Sequence, residues 1–197
     1  MSLPPWKNLK GNSDRSAQRF DQSFPKRLFF ALRPDPQVRR HLAKLQRDFS
    51  QPNASVHRAG NLHMTLAFLG MVDQRRYKAI CRMASRLRES RFTLRLDYTG
   101  YWRRPQILWC GPAYTPGPLV ELVTHLWDGL EACGFEPEQQ DYRPHVTLMR
   151  KAAAVKPQQL NTEIVWPVSH FELMWSHSKE GVLRYETLNR WSLVSLK

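Results

Sequence analysis

Two short stretches of this 197-residue chain carry the same pattern of residue types. His63-Met64-Thr65-Leu66 recurs 82 positions later as His145-Val146-Thr147-Leu148. In an extended strand, side chains alternate between faces. His63 and Thr65 therefore share one face, and Met64, Leu66 and Phe68 share the other. His145 and Thr147 are separated from Val146 and Leu148 in the same way. If a pseudo-two-fold axis relates the two copies, two imidazoles and two hydroxyls converge on one groove. That set suits displacement at a phosphodiester. With an ordinary pKa of about 6.5, one imidazole is neutral and accepts a proton while the other is charged and donates one. The threonine hydroxyls can donate to the non-bridging phosphate oxygens. The chemistry needs no metal or other cofactor. The chain has no His-Glu-x-x-His, no aspartate cluster and no Cys/His ligand spacing.

The remaining residues must build strands that hold these groups. Arg27–Arg33 is a short apolar and aromatic run closed by Pro34, and reads as a buried strand. Asp35-Pro36 is a helix start, followed by one apolar face of Val38, Leu42, Leu45 and Phe49. Ser55–Arg58 and Leu62–Leu69 are expected to pair as strands. Asp73 caps a second helix with Tyr77, Ile80, Ala84 and Leu87 on one face. Phe92–Tyr101 and Gln106–Cys110 read as strands. A third helix carries Leu119, Leu122, Val123, Leu126 and Leu130, with Gly134 just past its end. Strands resume at Tyr142–Met149, Ser169–Ser176 and Arg184–Val194. The mixture predicts an α+β fold rather than a parallel doubly wound sheet.

Composition narrows the partners. Lys and Arg outnumber Asp and Glu by 30 to 17, a net charge of +13, which favours a polyanion such as nucleic acid. No apolar run approaches the ~18 residues of a membrane span, and the first residues lack the apolar stretch of a secretory signal. No membrane partner is expected. Cys81, Cys110 and Cys133 are odd in number and widely spaced, so free thiols in a reducing cytoplasm are expected. Residues 1–25 are polar and aperiodic and read as a flexible extension. Residues 26–197 read as one bilobal domain. A single chain can supply the whole site, which makes a monomer the expectation.

Taken with Arg27-Leu-Phe-Phe-Ala-Leu, Asn61-Leu-His-Met-Thr-Leu-Ala-Phe-Leu-Gly70, Arg143-Pro-His-Val-Thr-Leu-Met-Arg150 and Arg184-Tyr-Glu-Thr-Leu-Asn-Arg-Trp191, the paired motifs resemble the 2H phosphoesterases. Within that superfamily they are most similar to the bacterial RNA 2′,3′-cyclic phosphodiesterases, also called 2′-5′ RNA ligases. The resemblance implies two antiparallel lobes with outer helices around a central cleft. It implies hydrolysis of RNA 2′,3′-cyclic phosphate ends, on tRNA fragments or other RNA, to 2′-phosphomonoesters, with possible reversal as 2′-5′ ligation. By the same analogy His145 is the base on water and His63 the acid on O3′, although the near symmetry of the sequence leaves the direction open. Arg150 would stabilise the phosphate, but strict alternation turns it away from His145 unless the strand ends or bulges first. Among the basic clusters, Arg103-Arg104 is the one expected to face RNA. Phe29, Phe30, Trp102 and Tyr114 are read as core or loop residues before base-stacking ones. His41, His57, His125, His170 and His177 have no paired context. Alternatives are a phosphodiesterase for other 2′-linked or cyclic nucleotides, or a non-catalytic RNA-binding module.

Overall fold

The computed structural model describes residues 23–137 and 142–195. Its elements follow in chain order: β1 (Lys26–Leu32), α1 (Pro36–Asp48), β2 (Ser55–Val56), a 3-10 turn (Ala59–Asn61), β3 (Met64–Val72), α2 (Gln74–Ala84) and β4 (Phe92–Trp102). Then come β5 (Ile107–Gly111), α3 (Gly117–Glu131), β6 (Val146–Arg150), β7 (Gln158–Val168), β8 (His170–Lys179) and β9 (Val182–Ser192). Local chemistry sets the helix starts. The Asp35 carboxylate accepts the Gln37 and Val38 N–H groups, and Asp73 accepts that of Arg76.

The strands form one sheet in the order β7-β4-β5-β6-β3-β1-β8-β9, with β2 attached to β6. Every pairing between these strands is antiparallel. The sheet has two halves, β7-β4-β5-β6 and β3-β1-β8-β9, meeting at the single pair Met64–Val146. The repeated unit is strand–helix–strand: β1-α1-β3 in one half and β5-α3-β6 in the other. The helices cross over, α1 lying against β6 and β7, and α3 against β3. A core of Leu28, Phe30, Leu42, Met64, Leu108, Leu126, Val146 and Trp166, among others, welds both halves together.

This is the expected α+β architecture, with three local departures. First, β7 was not expected, and it contains Pro167. Ile164, Trp166 and Val168 nevertheless alternate inward, and the strand is at the sheet edge, where a proline costs no ladder bond. Second, β2 pairs with β6 rather than with the strand that follows it. Third, β6 begins at Val146 rather than Tyr142. Tyr142 instead donates its hydroxyl to the Thr65 carbonyl across the cleft seam (3.2 Å). Of the expected N-terminal extension, residues 1–22 lie outside the described residues. Phe24 rests against the Tyr77 ring at 5.2 Å. No helix among the described residues is long and apolar enough to cross a membrane.

Candidate active site

The two central strands begin one residue after each histidine. Pairing of Met64 with Val146 sets His63 level with Thr147 and Thr65 level with His145. The four expected groups are thus brought together at the seam between the halves. Close packing enforces this: a Cβ on Gly111, at the end of β5, would meet the Pro144 carbonyl oxygen at 2.5 Å.

Both strands then break their alternation at the same point. Trp109 pairs with Thr147 but Leu108 pairs with Met149, so Leu148 is an extra residue in β6. Ala31 pairs with Thr65 but Phe30 pairs with Ala67, so Leu66 is extra in β3. Each extra residue is the leucine of the repeated tetrapeptide. A bulge reverses the facing of everything after it. Arg150 is thereby returned to the face of His145 and Thr147, which strict alternation had denied it. Phe68 is likewise turned to the cleft face, correcting its expected place beside Met64 and Leu66. It joins Phe29, Ala31, Met174 and Tyr185 in a small apolar cluster separate from the main core.

The bulge in β6 is held from outside. The Leu148 carbonyl accepts both the His57 N–H (3.0 Å) and the buried Gln46 side chain (2.8 Å). The same Gln46 nitrogen donates to the His57 carbonyl at 2.8 Å. This arrangement brings His57, which sequence reasoning passed over, into the site. Its Nε2 receives the Arg150 Nε–H at 3.4 Å. No local signal marks His57, because its position depends on the β2–β6 pairing. Tyr185, within Arg184–Trp191, is a further site residue that the sequence reading did not single out. Its ring stands edge-on to His63 at 4.8 Å.

The two motif histidines are held alike. His63 Nδ1 lies 2.6 Å from the Asn61 carbonyl, and His145 Nδ1 lies 2.9 Å from the Arg143 carbonyl. Each carbonyl is two residues upstream of its histidine. Because a carbonyl only accepts, each Nδ1 carries the hydrogen and each Nε2 is left for chemistry. Aromatic rings fix the planes: Phe29 lies 4.9 Å from His63, and Trp102 stands edge-on to His145 at 4.5 Å. Trp102 is therefore a cleft residue rather than only a loop anchor. Among the described residues, neither threonine hydroxyl has a hydrogen-bond partner within the protein.

Electrostatics departs from the simple expectation of one charged and one neutral imidazole. Burial pulls His63 down to about 4, partly opposed by the Asn61 carbonyl, with His57, His145 and Arg150 adding to the lowering. Burial also lowers His145, and Arg150 adds to this while the Arg143 carbonyl opposes it. His57 falls to about 4 through burial and Arg150. The cleft gathers basic groups, an arrangement suited to an anion.

The other candidates lie elsewhere. Arg103 and Arg104 are exposed in the β4–β5 turn, directly after Trp102. His41 and His125 are exposed on helices. His177 stacks on Trp175, and His170 lies beside Glu172. Phe30 belongs to the main core, and Tyr114 is 83% exposed. Cys81, Cys110 and Cys133 are free thiols.

The family model of the 2′-5′ RNA ligase superfamily matches residues 24–180. The chain belongs to the 2′-5′ RNA ligase superfamily. It is 34% identical over 176 residues to the RNA 2′,3′-cyclic phosphodiesterase of Escherichia coli, covering 87% of this chain and 99% of that protein. The RNA 2′,3′-cyclic phosphodiesterase of Methanocaldococcus jannaschii is 30% identical, with 63% of this chain and 70% of that protein covered. The crystal structure of E. coli LigT with 3′-AMP superposes with a TM-score of 0.81 at 34% identity, covering 87% of this chain and 99% of that one. The two-lobed antiparallel fold of this superfamily member therefore agrees with solved relatives across nearly their full length.

Proposed function

We propose that this superfamily member is an RNA 2′,3′-cyclic phosphodiesterase whose catalytic unit is the bilobal segment 26–197, with residues 1–25 an extension to it. The observation that carries this reading is the matched pair of histidines. Each is held by a backbone carbonyl two residues upstream, and each comes from one half of the sheet. A paired acid and base suits a cyclic phosphate, in which attack and departure occur on opposite sides of phosphorus.

Water enters opposite O3′. His145 Nε2 takes a proton from water as the new P–O bond forms. His63 Nε2–H gives a proton to O3′ as the P–O3′ bond breaks. The product is a 2′-phosphomonoester and a free 3′-hydroxyl. The histidines finish with their charges exchanged, and proton exchange with solvent resets them. Thr65 and Thr147 donate to the non-bridging oxygens, and Arg150 balances charge on them. The depressed pKa of His63 means that the anionic substrate itself helps load the acid, because a nearby negative charge favours the imidazolium. With a 5′-hydroxyl in place of water the same displacement gives a 2′-5′ linkage: His145 takes the hydroxyl proton as the new P–O bond forms, and O3′ leaves with the proton from His63. Arg103 and Arg104, beside Trp102 on the His145 side, flank the cleft mouth and contact RNA. The scheme uses no metal and one chain, and the reducing cytoplasm is its setting.

The test is turnover, in EDTA, of a short RNA ending in 2′,3′-cyclic phosphate, with the 2′- and 3′-phosphate products resolved. The 2′-phosphate should form. His63→Ala and His145→Ala should each lower kcat by about 10²–10⁴-fold, with RNA affinity nearly unchanged. Unchanged turnover in either variant would reject the pair. Binding without turnover by the wild-type chain would favour an RNA-binding module.

A further inference from the structure

Away from the histidine pair lies a groove of about 450 Å³, where the ends of β7 and β4 meet the start of β8 and the residue after β1. Its volume falls within the range of roughly 300–1,000 Å³ found for small-ligand sites. Arg33 and Arg91 bring positive charge to it, and half-buried Phe92, backed by the core Trp166, forms an apolar wall. The one carboxylate in the lining, Asp35, already accepts two N–H groups at the start of α1. Buried Glu172, next to His170, is engaged by Arg190 (2.9 Å) and Thr187 (2.5 Å). Burial alone would raise its carboxyl, but hydrogen bonds from His170, Thr187 and Arg190 hold it at about 2. Neither Arg33 nor Arg91 has a carboxylate partner among the described residues. Arg91 Nε donates to the Leu193 carbonyl at 3.2 Å, which fixes the guanidinium and leaves its two Nη groups unused.

The groove is tied to the catalytic seam. Arg33 Nη1 donates to Thr187 Oγ1 (3.0 Å), and Nη2 donates to the Gly60 carbonyl (3.2 Å). The next residue, Asn61, supplies the carbonyl that holds His63. Leu32 pairs with Met64, so the following Arg33 stands beside His63 and the groove lies on the His63 side of the seam. This inference rests on the proposed function: if His63 protonates O3′, the ribose and the strand attached to it lie on that same side. We propose that the groove holds a nucleotide of the RNA strand upstream of the cyclic end, with a phosphate on Arg91 and Arg33 and a base against Phe92. The Arg103-Arg104 side is then left for the 5′-hydroxyl strand of the ligation direction.

The test compares an RNA of about six nucleotides ending in 2′,3′-cyclic phosphate with a 2′,3′-cyclic mononucleotide, which is too short to reach the groove. The variants are Arg91→Ala and Thr93→Glu. The second puts a carboxylate into the groove at an exposed position and removes no contact. For both, kcat/KM on the RNA should fall about tenfold while that on the mononucleotide stays within about twofold. In Arg91→Ala the slope of log(kcat/KM) against log salt should also flatten by about 0.7, the effect of one lost phosphate contact on a single strand. An unchanged RNA rate, or equal losses on both substrates, would overturn the proposal. RNA affinity measured separately should fall in both variants whether or not the wild-type chain turns RNA over. A failed groove and a failed catalytic reading therefore give different results.

Discussion

At the scale of single residues, the site is governed by competition between burial and charge. His63 and His145 are both held below their ordinary range, with burial the first cause. The reactive form carries one proton on the pair, so it is most populated between two depressed pKa values. The pH profile of kcat/KM, which reports the free enzyme, should therefore peak on the acid side of 6.5 and fall about tenfold per unit above the peak. The profile of kcat should lie at higher pH, because the bound phosphate raises both imidazoles. A kcat/KM optimum at or above pH 8 would contradict the burial of the pair. Arg150 lowers His57, His63 and His145 alike. Removing it in Arg150→Ala should shift the kcat/KM profile to higher pH while lowering kcat by about 10²-fold, the cost of losing one charge-stabilising donor. Arg150→Lys should recover part of the pH shift and less of the rate, because an ammonium replaces the charge but not the planar fork.

At the scale of elements, the bulges carry the design. Leu66 and Leu148 each add one residue to a central strand and turn the residue two positions later into the cleft. The two copies then diverge: one presents Arg150 and the other Phe68, with the Arg27 guanidinium lying 4.8 Å from the Phe68 ring centroid. Gln46 braces the β6 bulge from α1 through two hydrogen bonds to backbone carbonyls. Gln46→Leu should cost about 1–3 kcal/mol of stability, the penalty for leaving buried acceptors short of a donor. It should also lower kcat although Gln46 touches no substrate; thermal unfolding and initial rates measure the two effects. Sequence periodicity was enough to place the histidines and threonines, because all four precede the bulges. It could not place Arg150 or Phe68, because an inserted residue leaves no mark on a pattern of alternating types. His57 was out of reach for a related reason: a two-residue strand carries no period, and its partner β6 lies about ninety positions away in the chain. The helix caps at Asp35 and Asp73 were legible because both act within four residues.

At the scale of the whole molecule, one sheet is made of two similar halves whose strands pair at a single residue pair, and the site is at that seam. A +13 chain places the seam in a positive field. RNA turnover should therefore decline with salt much more steeply than turnover of a cyclic mononucleotide, which engages fewer cations. Parallel salt series on the two substrates check this, and equal slopes would deny the basic surface a part in RNA recognition. The central claim is that each half supplies one histidine and that the two do different work. Replacing the O3′ of a 2′,3′-cyclic phosphate by sulfur tests this most directly, because a thiolate leaves without a proton. On the oxygen substrate both His63→Ala and His145→Ala should be slow. On the sulfur substrate His63→Ala should recover most of the wild-type rate and His145→Ala should stay slow. Full activity of either variant on the oxygen substrate, or the same response of both variants to sulfur, would contradict the account.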